Sequence, residues 1–252
     1  MQTEISVGDL VFPERLLDVY LKCPRKYYCE FELGLGGRRD DSAYVQFHQC
    51  VYEALRWMQS QRLAGREVVE DAQAYLGEVW QKKGPVAHPH ETVYRKRAEE
   101  MVEAAIRRLP LSGSKSEPAE HEVVLFHGRI KLTFDYAGLI EGDGESVLLI
   151  QRLRTGKPTK SEAKKRIYGL YQRAAQQKYP HAKRQIQILY LSTNEAQEVE
   201  LDPEQIEEHL AEYDTAIAGI LQQDFQPKPN DHECPRCPHY FICPMAGESV
   251  VV

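Results

Sequence analysis

The sequence lacks any segment suited to crossing a membrane or to directing secretion. No stretch approaches the roughly 20 consecutive apolar residues that a helix needs to span a bilayer. The first residues, MQTEISVGDLVF, contain no charged region followed by an apolar core, which a secretory signal peptide requires. We therefore expect a cytoplasmic protein with no membrane partner.

A nucleotide-binding loop and an excess of positive charge are also missing. No segment fits the pattern G-x-x-x-x-G-K-S/T, and neither GESV nor RTGKPT matches it, so the chain is not itself a motor. The 32 Lys and Arg residues are outnumbered by 38 Asp and Glu, which gives a net charge of -6. An acidic chain is not a general polyanion binder, so any nucleic-acid surface has to be a local basic patch.

Six cysteines are present, and three of them are closely spaced. Cys234, Cys237 and Cys243 form a C-x-x-C-x5-C pattern in CPRCPHYFIC. Without a secretory leader, this spacing favours metal ligation over disulfides. We propose Cys23 as the fourth ligand, and Cys29 is a second candidate for that position. Four thiolates form a closed structural site for zinc or for an iron–sulfur cluster, and the spacing alone does not choose between them.

The hydrophobic pattern predicts helices in the first part of the chain and strands mixed with helices in the second. The predicted helices cover 13–33 with a break at Pro24, 43–63, 68–83, 90–109, 160–178 and 202–222. The predicted strands cover 122–126, 129–134 and 146–153, as a three-stranded antiparallel meander, and 185–191. Ser42 or Asp41 is the expected cap of the second helix, and Ser161 or Thr159 that of the helix over 160–178. A GDG turn is expected at 142–144.

This order of elements predicts the α/β class, with a central mixed β-sheet flanked by helices. We expect one domain over 1–252, with a helical insert at 64–110 and a cysteine-cluster loop at 230–246. At 252 residues, with 42% apolar and 28% charged residues, the chain has the composition of a soluble globular protein and is long enough to bury a sizeable core.

The densest basic stretch follows the predicted strand over 146–153. It comprises Arg152, Arg154, Lys157, Lys160, Lys164, Lys165 and Arg166. Guanidinium groups bind phosphate bidentately, so this stretch is a candidate nucleic-acid surface. The alternative is a solvated helix face opposite the acids of a partner. Tyr27, Tyr28 and Phe31 are candidates for stacking on bases, or for core packing.

Taken together, the motifs resemble the iron–sulfur branch of the PD-(D/E)XK nuclease superfamily, to which the nuclease domains of RecB/AddB-type helicase–nucleases belong. The likeness is greatest to the C-terminal nuclease-like domain of UvrD-type helicases. It covers about residues 13–245 and is carried by CPRKYY, RTGKPTKSEAKKRIYGLYQRAA, ILYLST and CPRCPHYFICP.

The resemblance implies a restriction-endonuclease-like core and a 4Fe-4S cluster on Cys23, Cys234, Cys237 and Cys243, with zinc as the alternative. It also implies DNA as a partner, single-stranded or at a junction, together with a helicase or another DNA-processing protein.

The resemblance further implies a catalytic site of His48, Asp135 and Tyr171. Active members carry an acid-x-Lys pattern at the end of the next strand, where this chain has Arg152 and Arg154. At an effective dielectric of about 20, a guanidinium about 4 Å from a divalent cation costs about 8 kcal/mol. We therefore expect binding of Mg²⁺ or Mn²⁺, and metal-dependent cleavage, to be lost or severely weakened.

Three functions remain open at this point. The first is a nuclease-like module that holds DNA without cutting it. The second is an active nuclease with a remodelled site, in which Glu141, Asp143 or Glu145 supplies the missing carboxylate. The third is a protein-interaction scaffold whose cluster only stabilises the fold.

Overall fold

The computed structural model describes residues 10–36, 42–63, 69–108, 114–116, 120–141 and 146–245. The helices in these ranges are α1 (Glu14–Lys22), α2 (Pro24–Tyr27), α3 (Ala43–Leu63), α4 (Val69–Lys83), α5 (Glu91–Arg108), α6 (Ile167–Lys178) and α7 (Pro203–Leu221). The strands are β1 (Val11–Pro13), β2 (Ser114–Ser116), β3 (Glu120–Val124), β4 (Arg129–Thr133), β5 (Tyr136–Glu141), β6 (Ser146–Arg154), β7 (Lys183–Tyr190) and β8 (Glu195–Val199).

The strands form two mixed sheets, which confirms the predicted α/β class. One sheet has the order β1-β4-β3, with β1 and β4 parallel. The other has the order β2-β5-β6-β7-β8, in which only β6 and β7 are parallel. Leu148, Leu149 and Ile150 are consecutive buried residues of β6. Such a continuous apolar run is typical of a strand covered on both faces.

A pair of amide side chains, one of them buried, marks the register of the two parallel strands. Gln151 of β6 lies opposite Gln187 of β7. Its Nε2 donates a hydrogen bond to Gln187 Oε1 at 3.2 Å. A buried amide that lost this partner would carry a desolvation penalty of about 1–3 kcal/mol. The pair therefore favours one alignment of β6 against β7.

The chain divides into two compact units. The first consists of Met1–Arg39, Glu122–Leu132 and Pro203–Val252, and the second of Asp40–His121 and Thr133–Asp202. The prediction of a single domain over 1–252 stays a prediction. Across the described ranges, no helix combines the length and the apolar content that crossing a bilayer demands.

In the first unit, α1 packs against α7. Tyr20 of α1 is buried, and its hydroxyl donates a hydrogen bond to the backbone oxygen of Asp224 at 2.6 Å. Gly219 of α7 has no side chain, and a methyl group there would overlap the Tyr20 ring. The close contact between these two helices therefore depends on glycine at this position.

In the second unit, α3, α4 and α5 form one hydrophobic cluster with residues from the five-stranded sheet. Trp80 is its largest fully buried side chain, and Tyr136 and Leu153 belong to the same cluster. The Trp80 indole N–H donates to Glu91 Oε1 at 2.7 Å, so its one polar group is satisfied. This packing places α3 beside the ends of the strands that carry the candidate site residues.

Several sequence predictions are confirmed to within a residue or two. The helix over 43–63 has the predicted bounds, and the break at Pro24 separates α1 from α2. Ser42 Oγ accepts a hydrogen bond from the Val45 N–H at 3.4 Å, as expected of a cap. The alternative cap, Asp41, lies outside the described residues.

The predicted three-stranded meander is wrong. β3 and β4 belong to the sheet with β1, whereas β6 belongs to the five-stranded sheet and pairs with β5. Only Phe134 and Asp135 separate β4 from β5, so the chain changes sheets with almost no break in its hydrophobic pattern. For this reason β5 was not predicted. The GDG turn lies outside the described residues, although the strands on either side of it pair antiparallel.

The helix predicted over 160–178 begins later than expected, at Ile167. Glu162–Lys164 forms a separate 3-10 turn, and Lys165 has an extended backbone that interrupts the helix. Arg166 precedes the helix, so the predicted caps Ser161 and Thr159 are wrong. The side chain of Glu162 provides the physical reason, as described below.

A methyl group at Gly219 should destabilise the first unit. We expect Gly219→Ala to lower the free energy of unfolding by about 1–3 kcal/mol, because the Tyr20 ring must move away from its hydrogen bond. Urea denaturation checks this. The matched control is Gly77→Ala in α4, where only the Arg95 side chain comes within 4 Å. It should raise stability by up to about 1 kcal/mol, and a similar gain for Gly219→Ala would contradict the packing argument.

Candidate functional site

The predicted acid Asp135 lies beside the predicted basic residues at the end of β6. The Leu153 N–H donates a hydrogen bond to Asp135 Oδ2 at 2.9 Å. Burial raises the pKa of the Asp135 carboxyl, while the charge of Arg152, the Leu153 hydrogen bond and the charge of Arg154 oppose that rise. The motif order in the sequence therefore does bring this acid and both arginines into one place.

A second carboxylate, which the sequence analysis did not single out, forms the centre of this site. Glu162 is only 5% exposed, although it stands in a run of lysines. Its Oε2 lies 2.7 Å from Lys165 Nζ and 3.1 Å from an Arg154 guanidinium nitrogen. Its Oε1 lies 3.8 Å from Arg152 Nε and accepts a hydrogen bond from the Tyr168 hydroxyl at 3.4 Å.

The charge state of Glu162 follows from these contacts. Burial raises the pKa of the Glu162 carboxyl, but the hydrogen bond from Lys165 and the charges of Arg154, Lys165 and Arg152 together outweigh it. The pKa therefore lies below its usual value, and the group is a carboxylate at neutral pH. The one signal in the sequence was a single acid inside the basic run KSEAKKR.

Tyr171 also joins the cluster, as the resemblance implied. Its hydroxyl donates to the backbone oxygen of Thr133 at 3.2 Å and accepts a hydrogen bond from Arg152 at 3.4 Å. The Arg152 guanidinium lies 5.9 Å from the centre of the Tyr168 ring and 6.0 Å from that of Tyr171. Two tyrosines therefore hold Arg152 in addition to its ion pair with Glu162.

The remaining basic residues of the stretch face solvent. Lys157, Lys160 and Lys164 are exposed, on the segment between β6 and α6. Lys165 is also exposed, but its ammonium group is turned toward Glu162. Cations thus stand both within the buried cluster and outside it, which suits a surface that contacts more than one phosphate.

His48 lies on α3 and is brought to the same end of the sheet by that helix. Tyr52, one turn later, donates a hydrogen bond to the Leu153 backbone oxygen at 3.3 Å. Both ring nitrogens of His48 are buried and have no hydrogen-bond partner among the described residues. Burial lowers the pKa of His48, so its imidazole is neutral at pH 7. No hydrogen bond joins it to Asp135 in the described part of the chain.

The acids expected to rescue a metal site are not described. Asp143 and Glu145 lie outside the described residues, and so does the side chain of Glu141. The remodelled-nuclease alternative therefore stays a prediction.

The four predicted cysteine ligands line one cavity in the first unit. Cys23, Cys234, Cys237 and Cys243 all face a pocket with about 440 Å³ of empty space, part of it open to solvent. All four are free thiols and partly buried. The fifth cysteine considered, Cys29, is only 1% exposed and is not one of the lining residues.

Local hydrogen bonds orient two of these sulfur atoms. The Asn230 N–H donates to Cys234 Sγ at 3.2 Å, and the Asn230 side-chain oxygen accepts the His232 N–H at 2.8 Å. The His239 N–H donates to the Cys237 sulfur. Burial raises the pKa of Cys237 above its usual value, and this hydrogen bond and the nearby Lys26 offset only part of that rise. Such N–H donors favour the thiolate, which is the form that binds metals.

Among the described residues, no three His, Cys, Asp or Glu side chains stand in an arrangement that would hold a metal ion. The four-thiolate centre therefore stays a prediction. The donor set itself fits, because four soft sulfur ligands face one cavity, and such a set suits iron–sulfur clusters and zinc.

A sequence profile of the PD-(D/E)XK nuclease superfamily matches residues 16–244. The match covers most of the chain, so the chain belongs to the PD-(D/E)XK nuclease superfamily. Among curated proteins, none matches the chain.

The Glu162 cluster should make stability depend on pH. The pKa of Glu162 is lower in the folded chain than its usual value of 4.5, so its ion pairs stabilise the fold above about pH 4.5 and are lost as the pH falls through the folded pKa. We expect Glu162→Gln to lower the free energy of unfolding by about 2–4 kcal/mol at neutral pH. The difference from wild type should shrink on acidification.

Urea denaturation over a pH series measures this difference. The matched control is Glu53→Gln, which removes one carboxylate from a more exposed pair with Lys83 at 2.7 Å. Glu53→Gln should lower the free energy of unfolding by about 1 kcal/mol or less. A Glu162→Gln effect of the same size at every pH would mean that the carboxylate charge does not stabilise the fold.

Proposed function

We propose that the chain is a nuclease-like domain that binds DNA, single-stranded or at a junction, without cutting it. It acts beside a helicase or another DNA-processing protein in repair, recombination or defence, and it holds a 4Fe-4S cluster. The observation that carries the DNA-binding proposal is the cluster of Arg152, Arg154 and Lys165 next to Asp135, where an active nuclease needs carboxylates and a single lysine.

The charges around Asp135 disfavour a catalytic magnesium site. Mg²⁺ relies on carboxylate and substrate oxygens, and Asp135 is the one acid of the expected motif that this chain retains. The nearby Glu162 carboxylate is already bound by three cations. A divalent cation would have to replace these partners and tolerate the guanidinium groups beside it, at a cost of several kcal/mol.

The same charges favour phosphate. Arginine presents a planar fork of donors that matches the oxygens of a phosphate, and each contact releases counterions from the nucleic acid. Lys157, Lys160 and Lys164 extend the basic surface into solvent. In a chain with a net charge of -6, binding through this patch is local and sensitive to salt.

The proposed cluster has a structural role. Cys23, Cys234, Cys237 and Cys243 would hold it, and it would join a segment near the start of the chain to one near its end. The binding free energy of such a centre is also folding free energy. Arg25 and Lys26 line the same pocket and would offset the negative charge of four thiolates. Zinc is the alternative occupant of this donor set.

One observation favours the second candidate, an active nuclease with a remodelled site. His48 keeps two buried nitrogens without a partner among the described residues, as an unfilled ligand position would. Asp135 is also retained. The cleavage assay below separates this candidate from the first.

We expect DNA binding without cleavage. Fluorescence anisotropy with labelled single-stranded, duplex and forked oligonucleotides should give an affinity that falls with salt. Replacing Lys157, Lys160 and Lys164 by Ala should reduce the slope of log affinity against log salt by about 2 units for single strands. No product should form with Mg²⁺ or Mn²⁺. Metal-dependent cleavage that disappears in Asp135→Ala would establish the second candidate, and absence of both binding and cleavage would leave only the scaffold function.

We also expect the anaerobically purified protein to carry iron. Visible absorbance and iron quantification should indicate about four irons per chain. Cys23→Ser and Cys234→Ser should lose that iron, whereas Cys29→Ala should retain it. Cys50→Ala, in another buried environment, is the matched control. Zinc in place of iron, or loss of iron from Cys29→Ala but not from Cys23→Ser, would contradict the assignment.

A further inference from the structure

The Glu162 carboxylate is bound by groups that also bind phosphate. Its two oxygens are contacted by Lys165, Arg154, Arg152 and the Tyr168 hydroxyl, at 2.7, 3.1, 3.8 and 3.4 Å. Guanidinium and ammonium groups recognise carboxylates and phosphates by the same charge-assisted hydrogen bonds. A phosphodiester carries one negative charge, as the carboxylate does, so an exchange of one for the other leaves the local charge unchanged.

The segment that carries Glu162 is otherwise exposed. Residues 156–161 are all exposed, and Glu162 is the buried residue that follows them. The Glu162 N–H donates to the Thr159 backbone oxygen at 3.2 Å, and the Lys165 N–H donates to the Glu162 backbone oxygen at 3.2 Å. The ion pairs of the Glu162 side chain attach this segment to β6. Two further hydrogen bonds hold its first half: Ser192 Oγ donates to the Gly156 backbone oxygen at 2.9 Å, and the Thr159 N–H donates to the Tyr190 hydroxyl.

Arg152 does not depend on Glu162 for its position. Arg152 has a hydrogen bond to Tyr171 and lies over the Tyr168 and Tyr171 rings. Tyr171 is in turn fixed by its hydrogen bond to Thr133. If the Glu162 carboxylate moved out, the two tyrosines would still hold the Arg152 guanidinium. Arg152, Arg154 and Lys165 would then be available to bind another anion.

We propose that Glu162 is an internal competitor for the DNA phosphate. In the DNA-free protein its carboxylate fills the oxyanion position between Arg154 and Lys165. A phosphate of the DNA displaces it, and residues 160–165 move away from β6 as it leaves. This inference rests on the proposed DNA-binding function and adds a mode of regulation to it, since DNA gains the two half-buried arginines only by breaking the ion pairs of Glu162.

Glu162→Gln tests the competition. The amide keeps the shape of the side chain but removes its charge. The affinity for a labelled single-stranded oligonucleotide should rise about tenfold at fixed salt, because the competing anion is gone. The log–log salt slope should stay unchanged, because in both proteins the same phosphate occupies the cation site once DNA is bound. Glu53→Gln removes the same charge elsewhere in the second unit and should change neither quantity.

A second measurement needs no DNA. Trypsin cleavage after Lys160 and Lys164 reports how firmly the segment is held, and Glu162→Gln should be cut several-fold faster than wild type or Glu53→Gln. If Glu162→Gln does not fold, Glu162→Gln/Lys165→Gln removes one charge of each sign and is compared with Lys165→Gln alone. The double variant should bind DNA more tightly than the single one.

The outcomes separate the two proposals. Faster trypsin cleavage of Glu162→Gln, with no DNA binding by any variant, would overturn the DNA-binding function and, with it, the competition. DNA binding by the wild type that weakens in Glu162→Gln would mean that Glu162 positions the arginines for DNA, which overturns the competition alone. If neither the DNA affinity nor the rate of trypsin cleavage changes in Glu162→Gln, the competition is also overturned.

Discussion

A carboxylate removed from water has to be compensated by partners of opposite charge, and this requirement organises the end of β6. Glu162 is buried, so it draws Arg152, Arg154 and Lys165 together within a few ångströms. Leaving the Glu162 carboxylate buried and unpaired would cost several kcal/mol. The 3-10 turn and the late start of α6 follow from that one demand, and Arg154 is oriented by the same ion pair. The basic surface therefore has an anion built into its centre, which makes it different from a simple patch of lysines.

The cysteine pocket places a second constraint on the chain, at a different scale. The first unit is assembled from an early segment, a short central hairpin and the last part of the sequence. The four thiols that line its pocket come from both ends of that set, one between α1 and α2 and three from residues after α7. A centre bound there would act as a crosslink across more than two hundred residues of sequence. Loop-closure entropy makes such long-range links the most stabilising in principle.

The sequence predicted most accurately what depends on local periodicity or on a compact motif. α3 had the predicted bounds because its apolar residues repeat at helical spacing, and the four chosen cysteines do line one pocket. Asp135 was placed correctly beside the arginines by motif order. What was missed depends on long-range contacts. Nothing near Glu162 in the sequence shows that it is buried. β5 follows β4 after only two residues, so the sequence reads as one continuous strand although the two strands belong to different sheets.

The hydrogen bond between Gln151 and Gln187 has a consequence for the charge pattern of the sheet. Successive residues of a strand point to opposite faces, so sliding β6 by a single position along β7 would transfer its side chains to the other side. The guanidinium groups of residues 152 and 154 would then project away from Tyr171. Two uncharged amides, joined at 3.2 Å, thereby help to determine which surface of the molecule is electropositive.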